Sequence, residues 1–271
     1  MEPTGETQLA SIDAYLVGRV NLAVTAEALT QWARDPKHFG DDAEGRLWDL
    51  WSAINDRAER TKSSDDILHS KLVELVDAIK HQESPTNDAG EKSKCWGLTL
   101  WEDLPIFGAN MRECWNFFDA KEDAERASKR ERWVNLNAFV ARLTAARVSD
   151  FELYAIWQLR DALEEPTEES ENGGEMIDKS LDAKIPAAVQ WILYCGELIY
   201  TSEREFETGP SVGDPAKGGE LWKGDKRGFC QERWHFWKKR FAELQHYEGL
   251  LPETRLLASK AVQVMEGIEK K

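Results

Sequence analysis

Four polar side chains interrupt otherwise apolar helical faces in this sequence: Asn137, Arg160, Gln190 and Glu197. Burial of such groups is unfavourable unless they are paired, so they bond to one another or line a cavity. One interpretation is a buried network of Arg160 with Glu197 or Asn137 that fixes the register of the helices. The other is a pocket in which Arg160, Asn137 and Gln190 act catalytically by orienting a bound molecule.

Tryptophan is unusually frequent, with 12 residues in a chain of 271. So many large rings on a helical scaffold indicate either a thick aromatic core or a cavity lined by aromatic side chains. Under the cavity interpretation, substrate contacts come from a set of aromatic residues that lie near the polar positions in the helical pattern or in a glycine-rich loop: Trp157, Trp191, Tyr194, Trp222, Trp234 and Trp237.

Several other kinds of chemistry are disfavoured by the sequence. The formal charge of -15 opposes nucleic acid and anionic membrane surfaces as partners, because binding to phosphates requires clustered cations. The five histidines are dispersed and the four cysteines form no Cys-x-x-Cys pair, so no metal site is predicted. The glycines from Gly213 to Gly219 lack the Lys-Ser/Thr of a phosphate loop, and no dinucleotide fingerprint occurs, so no cofactor is predicted.

Apolar residues recur with helical spacing along most of the chain, which predicts an all-α, bundle-like single domain of about ten helices. We expect an N-terminal helical layer over 1–80, a main helical core over 95–270, and loops near 81–94, 166–180 and 208–228. Local signals set helix starts at Ser63 or Ser64, Pro105, Ser149, Pro186 and Pro252. Residues 186–200 are apolar on nearly every side and predict a central helix.

The sequence contains no apolar run of the roughly 20 residues that a membrane-spanning helix needs. Its first residues, Met1 to Glu6, are acidic and lack the basic and apolar regions of a secretory signal. We therefore expect a cytoplasmic protein that does not interact with a membrane.

Five segments resemble a fungal family of proteins of unknown function, some of them encoded in secondary-metabolite gene clusters. These segments are Trp101–Gly108, Trp133–Leu143, Tyr154–Glu165, Pro186–Trp191 and Gly228–Trp237. The resemblance extends from about Trp96 to Leu244 and transfers no catalytic residues. It implies cofactor-free cyclisation, such as a hetero-Diels–Alder reaction on a polyketide or terpenoid intermediate.

The resemblance and the residues together predict a cofactor-independent cyclase of fungal secondary metabolism that acts on a small apolar organic substrate. Cycloaddition needs shape and orientation rather than a nucleophile or a metal. A helical small-molecule-binding or scaffold protein without catalysis is one alternative, and an oxidoreductase of unorthodox type is another. The sequence leaves the substrate, the product stereochemistry and the oligomeric state open, a homodimer included.

Overall fold

A computed structural model describes residues 5–34, 43–86, 89–116, 122–166 and 180–271. Within these residues lie ten α-helices, one short 3₁₀ helix and one two-stranded antiparallel ladder, which confirms the predicted all-α fold. Contacts divide the chain into two compact units, Met1–Phe118 and Asp119–Lys271, and each is described separately. The predicted single domain, with a layer over 1–80 and a core over 95–270, stays a prediction.

The first unit contains five α-helices, with α1 against α2 and α3, α2 against α4, and α3 against α4 and α5. Apolar side chains at helical spacing, such as Leu47, Trp51 and Ile54 on α3, are fully buried. The elements are α1 Gly5–Leu16, α2 Leu22–Thr30, the 3₁₀ helix Gln31–Arg34, α3 Ala43–Arg60, α4 Asp66–Lys80, β1 Lys94–Cys95, β2 Leu98–Thr99 and α5 Phe107–Cys114.

Two predicted helix starts in the first unit are wrong by one or two residues. Asp65, rather than Ser63 or Ser64, caps α4, because its carboxylate accepts a hydrogen bond from the backbone N–H of Leu68 at 3.0 Å. Helix α5 begins at Phe107 instead of Pro105. The carbonyl oxygen of Pro105 accepts the indole N–H of Trp51 at 2.9 Å, which fixes the chain just before this helix.

The second unit contains the remaining five helices, and α8 packs against α6, α7, α9 and α10. Thirteen residues of α8 are buried, which confirms the prediction of a central helix. The elements are α6 Asp123–Ala145, α7 Glu152–Leu163, α8 Leu181–Thr201, α9 Gln231–Leu244 and α10 Pro252–Ile268. Within the described residues, no helix is both long and apolar enough to cross a membrane.

The predicted start of α10 at Pro252 is confirmed, whereas two other starts need correction. Helix α8 begins at Leu181, so Pro186 lies inside its second turn, where the proline removes a single backbone donor. Helix α7 is preceded by Asp150, whose carboxylate accepts from the backbone N–H of Glu152 at 3.1 Å, and not by a Ser149 capping box.

The predicted loops near 81–94 and 208–228 are free of α-helix where the structure describes them. The loop near 166–180 falls largely on residues 167–179, which lie outside the described residues.

Candidate functional site

Asn137 and Trp191, both predicted as site residues, form a buried hydrogen-bonded pair between α6 and α8. Each is 0% exposed. The indole N–H of Trp191 donates to Asn137 Oδ1 at 2.9 Å, and Asn137 Nδ2 donates to the carbonyl oxygen of Trp133 at 2.9 Å. The amide of Asn137 therefore holds two helices together in the core.

The other predicted core-facing groups are also bonded within the fold. Gln190 is buried and donates to the carbonyl oxygen of Pro186 at 3.1 Å. Trp234 and Trp237 are buried, and their indole N–H groups donate to carboxylates of Glu269 at 2.8 Å and Glu164 at 2.7 Å. Trp191, Trp234 and Trp237 thus belong to the aromatic core, and the predicted pocket does not assemble from them.

Arg160 does not point into the core, which corrects its predicted placement. Its side chain is 25% exposed, pairs with Asp161 at 3.1 Å, and donates to the carbonyl oxygen of Lys217 at 3.4 Å. Glu197 is exposed and pairs with Lys271, so the predicted Arg160–Glu197 network does not form. The buried face of α7 includes alanines, and a pattern based on large apolar side chains does not predict which face they lie on. The buried residues are Ala155, Ile156, Gln158, Leu159, Ala162 and Leu163.

Among the described residues of the second unit, Glu164 and Arg233 form a buried ion pair instead, and both side chains are 0% exposed. Arg233 Nε and Nη2 donate to the two carboxylate oxygens of Glu164 at 2.7 and 3.0 Å. This pair was not predicted from the sequence. The available signal was Arg233 itself, which lies four residues before Trp237 and eight before Phe241 on the apolar stripe of α9.

This ion pair also anchors the glycine-rich loop that the sequence predicts near 208–228. Arg233 Nη1 donates to the carbonyl oxygens of Ala216 at 3.2 Å and Gly228 at 3.0 Å. The backbone N–H of Gly219 donates to Glu164 Oε2 at 2.8 Å. A buried charge pair therefore fixes both sides of the loop to α7 and α9.

Trp157 and Trp222 help to hold the same loop. The indole N–H of Trp157 donates to the carbonyl oxygen of Pro215 at 2.8 Å. Trp222 packs edge to face on Phe236, with ring centroids 5.5 Å apart. A Cβ atom on Gly218 would lie 2.4 Å from the Trp222 ring, so only glycine fits there.

A cleft of about 630 Å³ lies between α7 and this loop, and Arg160 is the predicted site residue that lines it. Its other lining residues are either charged or glycines, which suits an ionic ligand better than an apolar one. These residues are Asp161, Glu165, Lys217, Gly218, Gly219 and Glu220.

A groove of about 590 Å³ lies on α8 and α10 beside the end of α6, and we call it the α8–α10 groove. Its volume lies in the range of small-molecule sites. Of the predicted site residues, Tyr194 lines it. Its apolar lining comes from Ile192, Leu193, Leu198, Val264 and Ile268, and its charged residues are Arg147, Glu197 and Lys271.

Two residues that line the α8–α10 groove, Tyr194 and Cys195, are held by contacts within the fold. The guanidinium of Arg142 lies 3.4 Å from the centroid of the Tyr194 ring, which holds that ring in place. Burial, with a smaller contribution from the negative charge of Glu152, raises the pKa of the Cys195 thiol to about 12. Cys195 therefore stays protonated and is a poor nucleophile near neutral pH.

The groove combines apolar and charged lining residues, and the thiol in its lining, Cys195, is not reactive near neutral pH. Among the described residues, no cluster of three or more His, Cys, Asp or Glu side chains could hold a metal ion. The predicted absence of a cofactor stays a prediction.

An all-α protein with an apolar surface groove is the class that the fold and site define. Residues 51–241 match the family described as "Protein of unknown function (DUF3632)". This match covers more than half of the chain, and the chain belongs to that family.

A curated relative adds a biosynthetic context. The chain is 30% identical over 162 residues to "Oxopyrrolidines biosynthesis cluster protein G" of Penicillium oxalicum. The match covers 54% of this chain and 44% of the relative, so the chain spans less than half of the relative's length. No solved structure matches the chain. The resemblance to a fungal family with members in biosynthetic gene clusters is thereby confirmed.

Proposed function

We propose that this protein takes part in fungal secondary-metabolite biosynthesis as a cofactor-independent enzyme that closes a ring in an organic intermediate. The observation that carries the proposal is the similarity to a protein named for an oxopyrrolidine biosynthesis cluster. Oxopyrrolidines are five-membered rings that bear a carbonyl group, so ring formation is part of making that product class. The intermediate proposed for this chain is a polyketide or terpenoid.

The α8–α10 groove supports this proposal because its lining suits a largely apolar intermediate. Contact with Leu198, Val264 and Ile268, which are partly exposed, would remove apolar surface from water, at about 25 cal/mol per Å². Ring closure by cycloaddition needs the two reacting ends held in a near-attack geometry. It needs no nucleophile, in keeping with the protonated thiol of Cys195.

Tyr194 and Arg147 supply the polar part of such a site. Both line the groove, and a phenol or guanidinium donor can bond to a carbonyl more strongly as negative charge develops on it. Orientation by these two groups is the catalytic contribution that we assign to the protein. Arg160, Asn137 and Gln190 are assigned structural or separate roles because the structure does not bring them to this groove.

A second candidate is a small-molecule-binding protein without catalysis. The placement of Trp191, Trp234 and Trp237 in the core favours it, because their N–H groups are all used within the fold. Both candidates require an occupied groove, but only the first requires turnover.

Deletion and complementation of the gene test the biosynthetic role. Deletion should abolish a cyclic metabolite and accumulate its uncyclised precursor, and the wild-type gene should restore the product. Gly267 lines the groove, and a Cβ atom built on it meets nothing within 4 Å. Gly267→Trp should therefore fill the groove without disturbing the core.

The matched control is Glu266→Trp, which places the same side chain on a neighbouring exposed position outside the groove lining. Complementation should fail with Gly267→Trp and succeed with Glu266→Trp. An unchanged metabolite profile after deletion would overturn the biosynthetic proposal. If no precursor accumulates and the same products form in lower yield, the result would favour a small-molecule-binding protein without catalysis.

A further inference from the structure

Arg147 has a left-handed backbone conformation directly after α6, with φ at +56°. The N–H of Arg147 donates to the carbonyl oxygen of Thr144 at 3.0 Å, and that of Val148 donates to Leu143 at 3.1 Å. These two bonds form the Schellman motif that ends many helices, and glycine usually occupies the left-handed position. The helix end therefore needs this backbone conformation but not an arginine side chain.

The Arg147 side chain is exposed at the α8–α10 groove and makes no hydrogen bond or ion pair with any residue that the structure describes. The other two charged residues of the groove, Glu197 and Lys271, pair with each other. Arg147 thus carries the uncompensated charge of the described groove. This positive charge stands out on a chain whose formal net charge is -15.

We propose that Arg147 binds the anionic oxygen head group of an amphiphilic organic acid whose apolar body lies in the α8–α10 groove. This inference rests on the proposed ligand groove and names the class of molecule that it takes. A guanidinium matches a carboxylate with two parallel N–H···O bonds, and the enolate of a 1,3-dicarbonyl compound presents a similar pair of oxygens. The apolar body would contact the partly exposed side chains of Leu198, Val264 and Ile268.

A structural role for Arg147 makes a different prediction. A cation near the end of a helix interacts favourably with the helix dipole, which would explain Arg147 without any ligand. Lysine would preserve that interaction, whereas glycine would remove it and relieve the strain of the left-handed conformation. Neither substitution would affect ligand choice if the role were only structural.

Isothermal titration of the full chain with decanoate and with decan-1-ol, at low salt, separates these roles. The wild type should bind decanoate at least about tenfold more tightly than decan-1-ol, because only decanoate offers a charged partner. Arg147→Gly should remove that preference by weakening decanoate binding far more than decan-1-ol binding, and it should keep the melting temperature equal or higher. Arg147→Lys should retain part of the preference.

Equal affinity of the wild type for the two probes would overturn the head-group proposal, and so would an unchanged preference in Arg147→Gly or a failure of decanoate to bind. Gly267→Trp should abolish binding of both probes. The proposed function stands or falls separately, because complementation by Gly267→Trp and Glu266→Trp does not depend on the charge at Arg147.

Discussion

Replacement of Arg233 by methionine is the perturbation with the largest expected effect on folding. The substitution keeps an apolar stem of similar length but removes a guanidinium that is 0% exposed and makes four hydrogen bonds. Glu164 would keep its carboxylate in the core, with bonds from Trp237 and Gly219 alone. The loop carbonyls of Ala216 and Gly228 would lose their shared donor.

Breaking a buried ion pair by removing one partner costs about 3 to 5 kcal/mol of the free energy of unfolding, because the remaining charge is left uncompensated. Arg160→Met is the matched control. Its ion pair with Asp161 has side chains 25% and 50% exposed, so its loss should cost at most about 1 kcal/mol. The two variants remove the same side chain from the same unit.

Urea unfolding monitored by far-UV circular dichroism measures both free energies. We expect a large decrease in the unfolding midpoint for Arg233→Met and almost none for Arg160→Met. A double variant with Glu164→Leu should recover part of the loss, although Trp237 and Gly219 would then lack their acceptor. Equal midpoints for wild type and Arg233→Met, or a comparable loss in Arg160→Met, would refute the assignment of the buried pair.

Three further outcomes follow from the second unit. Asn137→Leu should lower the free energy of unfolding by about 1 to 3 kcal/mol, since the buried N–H of Trp191 loses its acceptor, and an unchanged urea midpoint would contradict this. Cys195 should resist a thiol reagent at pH 8 in the native protein and react in urea, because burial raises its pKa to about 12; rapid native labelling would disagree. Burial acts to raise the pKa of Glu269, but hydrogen bonds from Lys238 and Trp234 outweigh it and hold that pKa below 4.5. The loss in free energy of unfolding caused by Glu269→Gln should therefore have its full value above pH 4.5 and decrease as the pH falls through the lowered pKa. A loss that does not change with pH would contradict this.

Local patterns predicted the helices well where a single strong signal was present. Pro252 began α10 because its ring suits the first turn, and the all-round apolarity after Pro186 marked the central helix. The start of α8 was misplaced because Pro186 was expected in the first turn, whereas it lies in the second turn and removes one intrahelical hydrogen bond there. The ladder at Lys94–Thr99 was missed because two-residue strands carry no alternation.

The candidate site was harder to predict because pairing across the fold decides which polar groups are buried. Arg160 and Arg233 both lie beside large apolar residues at helical spacing, yet only Arg233 meets a buried carboxylate. Glu164 gave no signal, since it follows the last residue of α7 next to a second glutamate. Tyr194 was the predicted residue that the structure places in the groove, beside other residues of α8 and residues of α10.

The central claim is that an organic intermediate occupies the α8–α10 groove and is converted there. Its most direct test is titration of the precursor that accumulates in the deletion strain against wild type, Gly267→Trp and Glu266→Trp, followed by product detection without any added cofactor. We predict stoichiometric binding and a cyclic product for wild type and Glu266→Trp, and neither for Gly267→Trp. Equal binding and turnover by Gly267→Trp would contradict the account.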